Sequence, residues 1–313
     1  MGVKLLNRFI KNKCFNNHSI KRIGLYKLSN KIVAIDTSIF MYRFAQDNSI
    51  YEGFYNMCSL LRRYNIIPLF VFDGKPPKEK ESELRERSEE KKKAEKSYNE
   101  LKEQLKSTYN ENDIEEIEQH MDKLRKKFIR IKVTDIINVK KIITAFGLMY
   151  VDAPGESDEL CGYLALNKKV YAVMSEDMDM FVYGCPIIIR YFSMSNHNCV
   201  IYKTDEIIKS INMEPMHFKQ LCILSGTDYK KNIHNNIFSY HKKYFMFQRS
   251  GKNCMFEYFN PNNINHLNHI LDMFDVKDRE NLCEFKDNIK IENGEVNIDE
   301  IKEIMKKDNF IFL

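Results

Sequence analysis

Four aspartates close short runs of large apolar residues: Asp36 ends KIVAID at 31–36, Asp73 ends PLFVFD at 68–73, and Asp177 and Asp179 end VYAVMSEDMD at 170–179. Nearly continuous Val-, Ile- and Phe-rich runs of this length read as strands buried on both faces, the pattern of a parallel sheet covered by helices. Ligands of open parallel sheets bind outside the carboxyl ends of the strands, which is where these side chains fall. The i,i+2 spacing of Asp177 and Asp179 turns both to one side if the strand continues through Met178. Glu156, Asp158 and Glu159 fall in the first turn of a helix expected after Pro154-Gly155, where ordinary capping and dipole chemistry is, on the residues alone, the favoured account. Asp228 follows in a Ser-Gly-Thr-Asp-Tyr turn, again a common place for Asp.

If three strands of one sheet deliver four carboxylates to the same edge, their repulsion calls for cations. Hard oxygen donors without accompanying Cys or His select Mg²⁺ or Mn²⁺, and a cluster of this size suits two ions about 3.5–4 Å apart. Such a pair activates a water and stabilises the leaving oxygen of an in-line attack on phosphorus. The chemistry implied is phosphodiester hydrolysis.

The elements that must position these residues follow from the same patterns. Helical periodicity over Ile39–Tyr64 and Asn138–Phe146 alternates with the strands, giving an α/β fold with a mainly parallel central sheet flanked by helices. Residues 75–132 differ: dense in Lys and Glu and headed by Pro76-Pro77, they fit either a solvated charged helix or a helical insertion projecting over the carboxyl edge. The segment from Asp205 to Asn309 reads as mostly helical. No internal repeat or clean linker divides the chain, so one composite domain is expected.

At 313 residues with 43% hydrophobic and 12% aromatic residues, 11 Gly and 7 Pro, the chain is no disordered or low-complexity polymer. It also holds no apolar run long enough for a membrane helix. The 8 Cys include no C-x-x-C pair, and His266 and His269 share a helix face without Cys or acidic companions, so neither a zinc site nor a disulfide framework is expected. That usage suits reducing nucleus or cytoplasm. The net charge of +5 permits a polyanionic partner without demanding one.

In order and spacing, MGVKLL, VAIDTSIFMYRF, PLFVFDGKPPKEKESELRERSEEKKKAE, YVDAPGESDELCGYLAL, VYAVMSEDMDMFVYG and LCILSGTDY resemble the structure-specific 5′ nucleases of the flap endonuclease and XPG type. The resemblance implies a PIN-like 5′ nuclease fold and Mg²⁺-dependent cleavage of DNA at single-strand to double-strand junctions, serving replication, repair or recombination. It places the metal-binding acids on Asp36, Asp73, Glu156, Asp158, Asp177, Asp179 and Asp228, with two Mg²⁺ per site and Mn²⁺ as a substitute. Asp158 stands where flap endonucleases usually carry Glu, which points to a water-mediated contact there, and Glu159 has no counterpart in the metal set. Lys80 and Arg87 match the family's basic pair at the foot of a helical gateway; an i,i+7 spacing would set them on one helix face about 10.5 Å apart. Tyr42 matches a Tyr that stacks on a nucleobase, and 88–132 matches the helical arch that the single-stranded 5′ end passes, which the resemblance sets between the two parts of the nuclease domain, 1–87 and 133–229, with 230–313 as a helical C-terminal region.

Departures from the family begin after Gly226-Thr227-Asp228-Tyr229. The continuation KKNIHNNIFSYHKKY lacks the glycines of the helix-two-turn-helix hairpin that binds potassium and duplex, leaving Lys230 and Lys231 as plain phosphate contacts. The terminal Phe-Ile-Phe-Leu lacks the Gln of a sliding-clamp peptide, so clamp coupling is not expected; a monomer acting in the nucleus or the cytoplasm is. Lys-, Asn- and Ile-heavy composition suggests an AT-rich genome and a homologue from a large DNA virus. The alternatives are a messenger-RNA nuclease on the same fold and a non-catalytic DNA-junction binding protein.

Overall fold

The computed structural model describes residues 2–14, 18–107, 110–229, 235–287, 290–306 and 310. Seven strands, β1 (Ile20–Gly24), β2 (Ile32–Asp36), β3 (Ile67–Phe72), β4 (Met149–Asp152), β5 (Ala172–Met174), β6 (Ile187–Ser193) and β7 (Asn198–Lys203), form one sheet in the order β1-β7-β6-β5-β2-β3-β4. β2 to β6 are parallel, whereas β7 runs antiparallel to both β6 and β1. The helices of the first half are α1 (Leu6–Lys13), α2 (Thr37–Gln46), α3 (Ile50–Arg63), α4 (Glu81–Lys106), α5 (Glu111–Arg125), α6 (Val133–Ala145), α7 (Ser157–Leu166) and α8 (Asp179–Tyr183). Those following the sheet are α9 (Thr204–Ser210), α10 (Pro215–Ser225), α11 (Ile237–Lys242), α12 (Tyr244–Arg249), α13 (Met255–Phe259), α14 (Ile264–Met273), α15 (Glu284–Asp287) and α16 (Ile298–Lys306). None of the described helices is long and apolar enough to cross a membrane.

Two cores cover the two faces of the sheet. Successive residues of a strand face opposite ways, and β2 obeys this: Ala34 joins the core built with α1, α7, α8 and α10, while Val33 and Ile35 join the one built with α2, α3 and α6. β3 splits likewise, with Leu69 and Val71 on the first face and Phe70 and Phe72 on the second. By parity Asp36 and Asp73 belong to the first face, toward α7. The order also fixes where a ligand belongs. The chain moves from β2 outward through β3 and β4, then returns to β5 on the other side of β2, so the carboxyl ends of β2 and β5 flank the topological switch point.

The three carboxylate-ended runs supply strands β2, β3 and β5, but the sheet adds four more, β1, β4, β6 and β7, of which β4 also ends in an aspartate, Asp152. The Ile39–Tyr64 pattern is broken into α2 and α3, with Asn48 in the left-handed region at φ 53°. The helical pattern expected at Asn138 begins earlier, at Val133. β5 stops at Met174 rather than running through Met178, because local hydrogen bonds take over: the Ser175 hydroxyl accepts the Asp177 N–H at 3.0 Å, and Asp177 Oδ1 accepts the Asp179 N–H at 2.9 Å, opening α8. The 26 residues of α4, about 39 Å long, pack against α5 rather than standing alone. Ala94 and Leu124 are buried in that excursion, Tyr98 meets Phe128 edge-on at 5.4 Å, and Arg130 pairs with Glu95 at 2.7 Å.

After α15 the chain returns to the opposite face. The Gly294 N–H donates to Gly147 O at 2.7 Å, the Asn297 N–H to Ala145 O at 2.7 Å, and Arg62 Nη1 to Gly294 O at 2.9 Å. Ile301 and Met305 of α16 then enter the second core beside α6. Gly147 sits at φ 65°, and a Cβ there would collide with the Glu295 carbonyl, so this strap seats on a glycine that nothing else could replace without strain.

Candidate active site

The acids meet at the switch point. Asp36, at the tip of β2, is 3% exposed; its Oδ1 accepts the Ser157 hydroxyl at 3.1 Å and its Oδ2 the Ser175 hydroxyl at 3.0 Å, so α7 and the β5 turn both grip it. Asp73, one residue beyond β3, accepts the Ser157 N–H at 2.8 Å and the Ser38 hydroxyl. Asp73 therefore caps the start of α7, and Glu156, although at the N-cap position, makes no side-chain cap bond. Its carboxylate turns instead to the Tyr229 hydroxyl at 2.9 Å and the Lys80 ammonium at 2.8 Å. This arrangement removes the capping explanation for Glu156. Glu159 is no simple surface acid either: it is paired with Arg279, which in turn holds the carbonyls of Asp272 and Met273 at 3.0 Å.

Asp177 and Asp179 are buried on the turn after β5, and the backbone of Gly2 lies against them, since a Cβ on Gly2 would collide with Oδ1 of both. Asp228 arrives from the end of α10 through Gly226, which sits at φ 101°. Two basic groups converge on Asp228 Oδ2, Lys80 Nζ at 4.0 Å and Arg87 Nη2 at 3.3 Å. Lys80 is not on the α4 face as the i,i+7 spacing had suggested. It ends a short 3₁₀ turn, Lys78–Lys80, that precedes α4, and this tucks its ammonium inward at 9% exposure while Arg87 stays at the mouth.

Electrostatics record the crowding. Burial, then repulsion from Asp73, pushes the Asp36 carboxyl up to about 7 despite the two serine hydroxyls. Burial and the neighbouring Asp36 and Asp177 carry Asp158 well above the ordinary carboxylate value, and burial with Asp177 and Asp228 does the same to Asp179. Asp177 is raised chiefly by burial. Burial works against the charge of Lys80, but Tyr229, Glu156 and Asp158 outweigh it and hold the ammonium above the usual lysine range.

The donor set fits hard divalent cations: all oxygen, mutually repelling, with Asp158 Oδ1 and Asp179 Oδ1 buried and lacking any hydrogen-bond partner. Among the described residues, no three Asp, Glu, His or Cys side chains already close around one point as a metal cage. Lys80, inserted between Glu156 and Asp228, supplies positive charge in that arrangement.

Tyr42 is not a core residue; it is 43% exposed on α2, with Lys91 Nζ of α4 5.1 Å above its ring. Lys230 and Lys231 lie outside the described residues. His266 and His269 form no cluster, although His269 does have an acidic neighbour, Glu79, at 3.7 Å. Residue-type reasoning overlooked Gly2, Ser38, Ser157, Ser175 and Tyr229. All but Gly2, which comes from the start of the chain, stand inside or beside the acidic motifs, but a hydroxyl or a glycine announces a supporting role only once its partner is known.

The family models described as the XPG N-terminal domain and the XPG I-region match residues 1–94 and 147–228. The chain is similar to flap endonuclease 1 of Methanococcus aeolicus, 31% identical over 225 residues covering 67% of this chain and 66% of that protein. It is also similar to flap endonuclease 1 of Plasmodium knowlesi, 27% identical over 348 residues covering 98% of this chain and 55% of that one. The chain thus spans between 55% and 66% of the length of these relatives. Among solved structures, the catalytic core of Rad2 in complex with DNA substrate superposes with a TM-score of 0.65 at 19% identity, covering 98% of this chain and 94% of that one. Flap endonuclease-1 from Methanococcus jannaschii gives a TM-score of 0.55 at 21% identity, covering 93% and 95%. With both signature regions matched in order and the acidic crevice assembled from them, the chain belongs to the XPG family, the family of the flap endonucleases.

Proposed function

We propose that the protein is a divalent-metal-dependent, structure-specific 5′ nuclease that hydrolyses a phosphodiester bond where single-stranded DNA meets duplex. The observation that carries this reading is an all-carboxylate crevice, buried at Asp36, Asp177 and Asp179 and open at Asp73, with one lysine inside it and one arginine at its mouth. Asp36, Asp73, Glu156, Asp158, Asp177, Asp179 and Asp228 would hold Mg²⁺, or Mn²⁺ in its place. Two such ions, when bound, supply an activated water and stabilise charge on the leaving oxygen. The protein's own contribution is placement. Ser157 and Ser175 fix Asp36, the Ser157 N–H fixes Asp73, and Tyr229 fixes Glu156. Lys80 and Arg87 already point at one carboxylate oxygen, so a phosphate entering beside Asp228 meets two donors preset for its oxygens.

Tyr42 offers a stacking face to any base. Residues 88–132 would serve as the arch, where Lys91, Lys93 and Lys127, with Arg87 at the foot and Glu90 as the one acid, line a groove of about 650 Å³ whose excess of positive charge suits a phosphate backbone without sequence preference. Lys230 and Lys231 would add phosphate contacts on the duplex side, and the site of action would be the nucleus, in replication or repair.

End-labelled 5′-flap, bubble, nicked-duplex and matched RNA-flap substrates, incubated with Mg²⁺, test the proposal through product length. Cleavage near the DNA junction is expected, and Asp179→Ala should abolish it while leaving flap binding largely intact. Faster cutting of the RNA flap would transfer the reading to a messenger-RNA nuclease. Binding without turnover of any substrate would leave only a junction-binding protein.

A further inference from the structure

β6 carries a charged residue where its neighbours are apolar. Arg190, 6% exposed, pairs with Val200 of β7, and the register then jumps to Ser193 opposite Asn198, so two residues of β6 face one of β7. The extra residue is a bulge, with Tyr191 in the left-handed region at φ 52°. The bulge directs the guanidinium toward the turn that follows β5. Arg190 Nη2 donates to the Glu176 carbonyl at 2.8 Å and lies 3.3 Å from Glu176 Oε2, while Nη1 lies 2.7 Å from Met178 Sδ. Glu176 Oε1 closes the loop by accepting the Tyr191 N–H at 2.5 Å. The guanidinium also stacks over the Tyr191 and Tyr202 rings, 5.1 and 5.7 Å from their centroids.

The turn gripped in this way, 175–179, is the one whose inner side carries Ser175, Asp177 and Asp179 and, through Ser175, holds Asp36. A buried guanidinium is a poor way to stabilise a fold, since apolar replacement of such pairs is often neutral or better; here its partner Glu176 is partly exposed, and Arg190 Nε is buried without a hydrogen bond. What the pair does supply is direction: three contacts on one turn, from behind, opposing the repulsion of the acids in front. We propose that Arg190, together with Glu176, is a positioning residue that sets the spacing of Asp36, Asp177 and Asp179 and thereby the affinity for divalent cations. The inference rests on the metal-dependent reading above.

The test compares wild type with Arg190→Met, Arg190→Lys and Glu176→Gln. Mn²⁺ binding to the free protein is followed by electron paramagnetic resonance, and thermal melting and the Mg²⁺ concentration for half-maximal flap cleavage are measured alongside. Loss of a partner that orients metal ligands should weaken Mn²⁺ binding about 10- to 100-fold, so Arg190→Met is expected to lose affinity in that range and raise the Mg²⁺ midpoint to match, with its metal-free melting little changed. Arg190→Lys should recover part of the loss, and Glu176→Gln should shift both readouts the same way by less. A folded Arg190→Met with wild-type Mn²⁺ affinity overturns this inference alone. If that variant does not fold, Glu176→Gln decides, and unchanged Mn²⁺ affinity there overturns it equally. Wild-type protein that binds no Mn²⁺ overturns the metal reading and the positioning role together.

Discussion

Lys80 occupies the position that decides how the crevice is neutralised. Its ammonium lies 2.8 Å from Glu156 and 4.0 Å from Asp228, both among the acids assigned to the metal. A cation entering there competes with it, and the lysine must then find another anion, which the substrate phosphate supplies. Lys80→Met is therefore expected to lower cleavage about 10²- to 10³-fold without weakening Mn²⁺ binding; a parallel loss of Mn²⁺ affinity would refute the competition. The Asp36 carboxyl, pushed up to about 7, gives a second prediction. Because the folded chain holds this proton more tightly than the unfolded chain, metal-free stability falls as pH rises from the ordinary carboxylate range through about 7. Melting in a chelator should drop between about pH 5 and pH 8, and added Mg²⁺ should raise it far more at the upper pH. Equal Mg²⁺ increments at both would contradict the assignment of Asp36. Neither effect was legible in the sequence. By residue type Lys80 is one basic residue among 49; the family resemblance singled it out as half of a basic pair, but its burial at the end of a 3₁₀ turn, which sets up the competition, could not be read there.

At the scale of elements, α4 and α5 are held to each other more than to the sheet. Buried side chains in α4 are confined to Glu83 and Ala94 among its described residues, so the pair has little apolar anchorage and much charge. Near the crevice it meets the body through Arg87, which reaches Asp228, and through Lys91, which lies over Tyr42. Removing the ring by Tyr42→Ala should cost about 1–3 kcal/mol of stacking, roughly 5- to 150-fold in single-turnover cleavage, with melting temperature unchanged; a rate within twofold of wild type would exclude the stacking role. The strands show what pattern can and cannot reveal. β2, β3 and β5 were legible because they are continuously apolar and lead into carboxylates, at the strand end in β2 and just beyond it in β3 and β5. β1 and β4 are short edge strands with only partly buried side chains, and β6 and β7 pair antiparallel beyond the acidic motifs, so nothing in the chemistry drew attention to them. The turn at Ser175 escaped for a different reason: its side-chain hydrogen bonds override a sequence that alternates like a strand.

Across the whole molecule, the two cores are completed by distant parts of the chain. The core beneath the acids draws on α1 and on the helices beyond α10, while the other draws on α16 through Ile301 and Met305. Gly147 is the seat of that second closure. Gly147→Ala forces a side chain into the left-handed region and against the Glu295 carbonyl, and is expected to cost about 1–3 kcal/mol in urea unfolding while sparing Mn²⁺ affinity, since the acids lie on the opposite face. A variant as stable as wild type would mean the strap can reseat. The return of the chain to β4 and α6 also bears on biosynthesis. A nascent polypeptide that has already delivered every acid of the crevice still leaves one side of its sheet unsealed until 298–306 clear the ribosome. Chains stalled before that stretch would present greasy surface to chaperones and proteases even though all seven acids had already been made.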